Sequence, residues 1–384
     1  MARAAAALID LDALRHNLRR VREAAPGRHV MAIIKANGYG HGMVRVARAL
    51  ASADASADAF GVASIDEAIV LREAGIETPI TLLEGFFEAQ ELALIQRYRL
   101  GVVIHHAAQL DILEAHPLST PIPTWLKIDS GMHRLGFAPA KAQDAWRRLK
   151  ACRWVANPIR LMTHLASADD RHSSQTLRQL ECFSAAIAGI EGERGIANSA
   201  GILGWPQTHA DWVRPGIMLY GVSPFIDGVA MDDVQGCTNA AGAGCAGAAD
   251  DLKPVMTLTS KLISVNHFKK GDAIGYAASW VCPQDIPVGV VAIGYGDGYP
   301  RHAAPGTPVL VNGKRVPLIG RVSMDMVTVD LSSQPSAQIG DPVTLWGQGL
   351  PVEEVARCAS TIPYQLLCGV TQRVRIIESG ERYD

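Results

Sequence analysis

The chain has 384 residues, 48% hydrophobic and 19% charged, which is enough apolar material for a sizeable core and too much for a disordered tail. Its 36 Lys and Arg nearly balance 38 Asp and Glu, and a net charge of −2 gives no reason to expect a nucleic-acid or acidic-membrane partner. Seven cysteines, spread from Cys152 to Cys368 without a C-x-x-C pair, have the pattern of reduced cytosolic thiols, not of a disulfide framework or a zinc site, so no metal is expected. The apolar run at the start stops at Asp10, short of a signal-peptide core, and no later stretch reaches the ~18 apolar residues of a membrane span. A soluble, cytoplasmic protein is expected.

In chain order, short unalternated apolar runs predict strands buried on both faces at Val30–Ile34, Phe60–Ala63, Ile80–Leu83, Val102–Ile104, Trp125–Ile128, Ile159–Met162, Gly195–Ala197 and Ile217–Tyr220. Helical patterns lie between them. Ser64-Ile-Asp-Glu67 has the spacing of a capping box, Gly75 stands where that helix should stop, and Leu177, Leu180, Phe183 and Ile187 make an apolar stripe on a longer helix. Eight strand–helix units predict an α/β fold of the (β/α)8 TIM-type barrel over 11–225. A doubly wound open sheet is the alternative, but no strand is followed by G-x-G-x-x-G.

Residues 226–251, rich in Ala and Gly, are too small-sided to build a core and read as a flexible insertion or linker. From Val255 the pattern turns to β: Met256-Thr-Leu-Thr-Ser-Lys-Leu-Ile alternates, Asn312-Gly313 marks a hairpin, and Val327–Leu331 is a further strand. An all-β domain over 252–384 is predicted, with residues 1–10 packing against it.

Polar groups collect where barrel strands end, the rim on which such folds carry their chemistry. Lys35 closes the first strand and is followed by the glycine-rich loop Ala36-Asn-Gly-Tyr39-Gly-His-Gly. With its stem in apolar surroundings a lysine there can become a Schiff-base nucleophile, although a single strand-end lysine more often only snorkels to solvent. Lys127 alternates with apolar neighbours and should point into the barrel, where an unpaired ammonium is costly, so it must be paired or lose its charge. Arg134 follows with a planar fork suited to a carboxylate. His164, Asn198-Ser199 and Arg214-Pro-Gly216-Ile217 bring further polar groups to strand ends. Each alone is explained as a core histidine or a turn; their joint placement is not.

Six stretches in order resemble the bacterial alanine racemase family, fold-type-III pyridoxal-phosphate enzymes. They are Ala32-Ile-Ile-Lys-Ala-Asn-Gly-Tyr-Gly-His-Gly, Lys127-Ile-Asp-Ser-Gly-Met-His-Arg-Leu-Gly-Phe, Arg214-Pro-Gly-Ile-Met-Leu-Tyr-Gly, Gly275-Tyr-Ala-Ala-Ser-Trp, Ala292-Ile-Gly-Tyr-Gly-Asp-Gly-Tyr-Pro-Arg and Gly320-Arg-Val-Ser-Met-Asp-Met. Each has modest specificity; six across both predicted domains are strong. The resemblance implies that Lys35 holds pyridoxal 5'-phosphate as a Schiff base. Tyr39, Ser199, Gly216, Ile217 and Tyr364 would cradle its phosphate, with Asn198 beside them. Arg214 would face the pyridine nitrogen with His164 behind it, and Arg134 would contact the cofactor and the substrate carboxylate. Lys127 resembles a lysine that the family carries as a carbamate, which would invert its charge. Tyr276 would be the second catalytic base, and Tyr295 and Met324 substrate contacts with Asp325 beside them, all given by the other subunit of a homodimer with shared active sites.

The implied reaction is the interconversion of L-alanine and D-alanine, for peptidoglycan or for alanine catabolism. Removing a Cα proton needs an electron sink, and inversion needs one base on each face, here Lys35 and Tyr276. A phenol is a poor base at neutral pH, so cations such as Arg214 acting through His164 would have to assist it. The family commonly has Gly after the tyrosine, where this chain has Ala277. A barrel-type amino-acid decarboxylase or a broader-specificity racemase is the enzyme alternative. A non-catalytic pyridoxal-phosphate-binding homeostasis protein would lack the second domain.

Overall fold

The computed structural model describes residues 4–52, 56–225 and 250–379; apart from Asp250 and Asp251, the expected insertion at 226–251 lies outside the described residues. The chain divides into two compact units, one of Arg15–Leu219 with Ser223–Asp227 and the other of Met1–Leu14, Tyr220–Val222 and Gly228–Asp384.

After β1 (Ala6–Asp10), which belongs to the second unit, the chain builds a closed parallel barrel from eight strands. They are β2 (His29–Ile33), β3 (Ala59–Val62), β4 (Ile80–Leu82), β5 (Leu100–Ile104), β6 (Thr124–Lys127), β7 (Arg160–Met162), β8 (Arg194–Gly195) and β9 (Trp212–Val213). β9 closes the ring by pairing its Trp212 and Val213 with His29 and Val30 of β2. The predicted strands over Val30–Ala197 fall on β2 to β8 within a residue or two at each end. The eighth does not: Ile217–Tyr220 is a 3-10 turn, and Trp212–Val213 takes its place. All four residues of that turn are buried, so their apolar run carries no period that separates strand from helix. The chain stays extended only to Pro215, whose carbonyl accepts from Ile33 N–H at 2.9 Å, and then turns, Leu219 N–H bonding back to Gly216.

Helix signals fare unevenly. Ser64 caps the helix Ile65–Glu73, accepting from Glu67 N–H, and Gly75 follows it at φ 82°. On the helix Gln175–Ala186 the expected apolar stripe holds at Phe183 and at Ile187 just after it, both buried, with Leu180 half-buried, but not at Leu177, which is exposed while Thr176, Gln179 and Ala186 are buried. The reason is polar: Gln179 is drawn inward to hydrogen-bond rim backbone, and the buried face turns with it.

The second unit is a sheet in the order β13-β16-β15-β14-β17-β10-β1-β18, built from β1, β10 (Met256–Phe268), β11 (Ala273–Ile274), β12 (Trp280–Val281), β13 (Ile286–Val291), β14 (Pro308–Val311), β15 (Lys314–Ile319), β16 (Val327–Asp330), β17 (Pro342–Trp346) and β18 (Arg375–Ser379), with β11 and β12 as a separate ribbon. The long β10 pairs with β17 and β1 along its first half and with β13 along its second, so six strands close on themselves. Asn312 and Gly313, at φ 50° and 75°, form the tight turn that the sequence marks between β14 and β15. Two short helices, Val352–Cys358 and Pro363–Cys368, accompany the sheet.

Candidate active site

Lys35 leaves the end of β2 at the start of an unusual backbone. Ala36, Asn37, Gly38, Tyr39 and Gly40 all have positive φ, between 52° and 80°, and form a left-handed turn. Three of them carry a Cβ, a conformation that costs each about 1–2 kcal/mol. The turn is held by Gly38 N–H to Ile34 carbonyl at 2.8 Å, Gly40 N–H to Ala36 at 3.0 Å and Met43 N–H to the Asn37 side chain at 3.0 Å. His41 is buried behind it with Nδ1 2.8 Å from the Tyr39 carbonyl; burial pushes its imidazole down to about 4, against the pull of its bonds to Tyr39 and Gly38. The result aims Tyr39 across the barrel seam at the turn that follows β9. A Cβ on Gly216 would stand 2.7 Å from the Tyr39 hydroxyl, so only a glycine leaves that approach open. Ser199, buried at the start of its own helix, accepts from Gly216 N–H at 2.9 Å, and Ile217 follows. The barrel therefore brings Tyr39, Ser199, Gly216 and Ile217 together.

A second group fills the barrel mouth. Lys127, at the end of β6, is 9% exposed, and burial together with the charges of Arg214, Arg134 and Lys35 brings its ammonium down to about 8, with Asp129 opposing. His164 is held well below its ordinary value by burial and by the same cations, Arg214 foremost, so it is neutral. Arg214 is buried, which lowers it to about 10. Its Nη2 donates to the Thr163 carbonyl at 2.6 Å and the Ile196 carbonyl at 3.2 Å, while Nη1, equally buried, has no hydrogen-bond partner among the described residues. Arg214 thus reaches the carbonyl next to His164, not the imidazole.

Polar side chains hold the loops at this rim: Asp129, Gln179 and Gln109, none of them among the predicted site residues, and Asn198, which is. Asp129 Oδ1 accepts from Gly131, Met132 and His133 N–H, each at 3.0 Å, and fixes the loop that bears Arg134. Partial burial works against that carboxyl, but the backbone bonds hold it below its ordinary range. Gln179 accepts from Ala166 N–H and donates to the His164 carbonyl, and Gln109 does the same service for His105 N–H and the carbonyls of Glu84 and Phe86. Asn198 accepts from Gly201 N–H at 3.0 Å, capping the Ser199 helix. Asp-Ser-Gly after Lys127 is a turn signal from which Asp129 was findable; the glutamines carry no such mark.

The remaining predicted residues lie in the second unit. Tyr276 is 67% exposed on a 3-10 turn, and Ala277 behind it takes φ 62°, the left-handed conformation that favours the family's glycine. Tyr295 and Met324 are brought together by backbone bonds, Tyr295 N–H to Ser323 carbonyl at 3.0 Å and Gly296 N–H to Met324 carbonyl at 2.9 Å. Asp325 pairs with Arg373, which also reaches the buried Asp297 at 3.5 Å. Tyr364, 39% exposed, is the second residue of the helix Pro363–Cys368.

The model of the alanine racemase N-terminal domain matches residues 9–224, and that of the C-terminal domain matches 255–378. The chain belongs to the alanine racemase family. The alanine racemase of Nitrosococcus oceani is 53% identical over 368 residues, 96% of this chain and 97% of its own length. The biosynthetic alanine racemase structure from Pseudomonas aeruginosa superposes with a TM-score of 0.90 at 45% identity, covering 99% of this chain and 100% of its own. That of Bartonella henselae, described with covalently bound pyridoxal phosphate, reaches 0.84 at 27% identity over 98% of this chain and 99% of its own. The barrel and separate β-sheet unit expected from sequence are those of alanine racemases, and the chain is placed among isomerases. Among the described residues no helix is long and apolar enough to cross a membrane.

Proposed function

We propose that this chain interconverts L-alanine and D-alanine with pyridoxal 5'-phosphate bound at the barrel rim, and that it works as a homodimer with shared sites. The observation that carries the cofactor reading is the charge of the rim. Lys35, Arg134 and Arg214 all press on the buried Lys127 and on His164, and the acid that opposes them at Lys127, Asp129, is already engaged by three backbone N–H groups. Such a mouth calls for a polyanion. The Arg214 Nη1 without a partner and the tight approach of Tyr39 to Gly216 fit an aromatic phosphate held along that seam.

In this reading Tyr39, Ser199, Gly216 and Ile217 hold the phosphate, with Asn198 fixing the Ser199 helix and Tyr364 adding a hydroxyl. Lys35 would hold the aldehyde carbon, and Arg214 would meet the ring nitrogen. When bound, the cofactor supplies the electron sink that lets an amino acid give up its Cα proton. Lys35, its amine freed once the substrate's amino group takes its place on the cofactor, would accept that proton on one face, and Tyr276 of the partner subunit would deliver one to the other. A guanidinium has no proton to share at neutral pH, so Arg214 would leave the ring nitrogen unprotonated and the sink weak. A weak sink would favour return of the proton to Cα over side transamination. His164, kept neutral, adds no charge behind it. Arg134 binds the substrate carboxylate from the loop that Asp129 holds, and Tyr295 and Met324 bound the methyl group.

The test is direct. Full-length protein with added pyridoxal phosphate is incubated with L-alanine in deuterium oxide, and product chirality, Cα deuterium and carbon dioxide are followed. D-alanine deuterated at Cα is expected from L-alanine, and the reverse from D-alanine. Carbon dioxide release with retained chirality would sink the reading in favour of decarboxylation.

A further inference from the structure

We propose that Glu67 is a positioning residue for Lys35: its carboxylate replaces the missing rung between the ends of β2 and β3 and sets the direction in which Lys35 leaves the barrel. The inference rests on the reading of Lys35 as the cofactor's attachment point.

By its spacing Glu67 should reciprocate the Ser64 cap by accepting from Ser64 N–H. It performs only half of that motif. Its own N–H donates to Ser64 Oγ at 3.4 Å, but its carboxylate goes elsewhere: Oε2 accepts from Ala63 N–H at 2.8 Å and Oε1 from Ala36 N–H at 2.7 Å. The backbone bonds joining this edge of the barrel reach Ile34 N–H, given to the Gly61 carbonyl at 3.0 Å. Just past that point the chain at Ala36 enters its left-handed turn at φ 52°, ψ 50°, and leaves the extended path that a further rung needs. The N–H groups of Ala36 and Ala63 are both donors and cannot pair with each other. A single carboxylate, with an acceptor on each oxygen, satisfies both.

The Ala36 N–H belongs to the peptide that follows Lys35 directly. Holding it fixes ψ of Lys35 and, with it, the orientation of the Cα–Cβ bond from which the amine extends. The strained turn gives the clamp its purpose, since residues in sparsely populated conformations persist only where their surroundings over-determine them. Glutamate is required by type. A glutamine of the same shape offers one oxygen, and its NH2 would face an N–H donor; aspartate is one methylene too short to span both strands.

The experiment compares full-length wild type, Glu67→Gln and Ser64→Ala, each loaded with pyridoxal phosphate. Ser64→Ala removes the cap of the same helix and leaves the clamp, so it controls for helix stability. Three quantities are read: the melting temperature, the visible circular dichroism of the bound cofactor, which reports its fixed orientation, and the rate at which borohydride fixes it on Lys35. Glu67→Gln is expected to lose at least half of the visible signal and to slow trapping by about tenfold, in keeping with a misaligned reactive group. Ser64→Ala keeps both while melting lower. Hydrogen exchange at Ala36 is followed in parallel and should lose protection in Glu67→Gln alone. Glu67→Gln with wild-type dichroism and trapping, or Ser64→Ala with the same losses, overturns the proposal. A wild-type protein that traps no cofactor on Lys35 sinks the functional reading instead, while protection of Ala36 still reports whether the clamp exists.

Discussion

A Cβ on Gly195 would stand 2.9 Å from Nη1 of Arg214 and 3.1 Å from the ring of Trp125. Gly195 is the last residue of β8, its φ is not among the positive ones, and its absence of a side chain is therefore a matter of space. Trp125, in edge contact with Trp212 at 5.7 Å, gives no room on one side, and Arg214 is anchored by Nη2 to the carbonyls of Thr163 and Ile196 on the other. The part that can yield is the tip of Arg214.

Gly195→Ala should therefore cost activity far more than stability. A shifted guanidinium end is expected to lower racemase kcat by about tenfold or more, while the melting temperature falls by only a few degrees. Steady-state kinetics alongside thermal melts would check it. Loss of stability with unchanged kcat would mean that the barrel wall gives way and Arg214 does not.

Lys35→Ala should abolish the visible absorbance of the bound cofactor and nearly all turnover. Borohydride reduction of the unmutated protein followed by peptide mapping should place the adduct on Lys35. An adduct on Lys127 or on any other lysine would refute the assignment.

Much of this was legible in residue order. Unbroken apolar runs marked seven of the eight barrel strands because a strand covered on both faces has few polar positions. The same rule misled at Ile217–Tyr220, where a fully buried turn looks identical in composition. Lys127 could be read as a problem in burial from its neighbours alone, and its company of cations bears that out. What stayed hidden is the second ring of side chains. Glu67, Gln109 and Gln179 lie on helices, several residues past the strand ends they serve, and a helix-borne Gln or Glu looks like ordinary solvent-facing polarity. Only the fold shows that these reach backward to the rim. Leu177 shows the effect of that concealment: with Gln179 drawn inward, the buried stripe through Phe183 and Ile187 does not extend to it.

Asp129→Ala should loosen the loop that bears Arg134 and raise KM for alanine, whereas Asp129→Asn keeps an acceptor oxygen and should stay near wild type. The sign of the pH effect follows from the lowered carboxyl. Its contribution to stability is present above the ordinary value of 3.8 and is lost as pH falls through the lower folded value. Acid melts should separate Asp129→Ala from wild type above pH 3.8 and bring them together below it. Parallel curves at every pH would remove Asp129 from this role.

Lys127 gives a slope of the same sign in a more alkaline window. Its ammonium titrates at about 8 in the fold against 10.5 when solvated, so the unfolded chain binds the extra proton between those values and stability rises with pH across that window. The burial penalty below it is on the order of 3 kcal/mol. In cofactor-free protein under carbon-dioxide-free buffer, Lys127→Met should be the more stable form at pH 7 and should lose that advantage by pH 10.5. The same lowered value exposes a neutral amine able to take up carbon dioxide, forming an N–C bond and releasing a proton. In bicarbonate the wild type should gain one carbamate in gentle intact-mass measurement and Lys127→Met none. A wild-type protein with no such gain would leave the charge of Lys127 uninverted.

The shared site is the hardest claim and has the sharpest test. Tyr276 is 67% exposed in the single chain, yet a base that returns a proton to one face of Cα must work out of reach of bulk water. Association of two chains is the economical way to cover it. In a two-fold dimer each site would take Lys35 from one subunit and Tyr276 from its partner, giving two equivalent sites. Pairing a Lys35→Ala subunit with a Tyr276→Ala subunit then concentrates both lesions in one site and leaves the other intact. Random assembly makes roughly half of the dimers mixed, each with one working site, so recovered activity should approach roughly a quarter of wild type. Bases drawn from one and the same chain predict no recovery, because every site keeps a lesion. The two inactive variants, co-expressed with different tags and purified through both, isolate the mixed dimer, whose activity should be about half that of wild type. Verified mixed dimers without activity would return Tyr276 to its own chain or remove it from the chemistry.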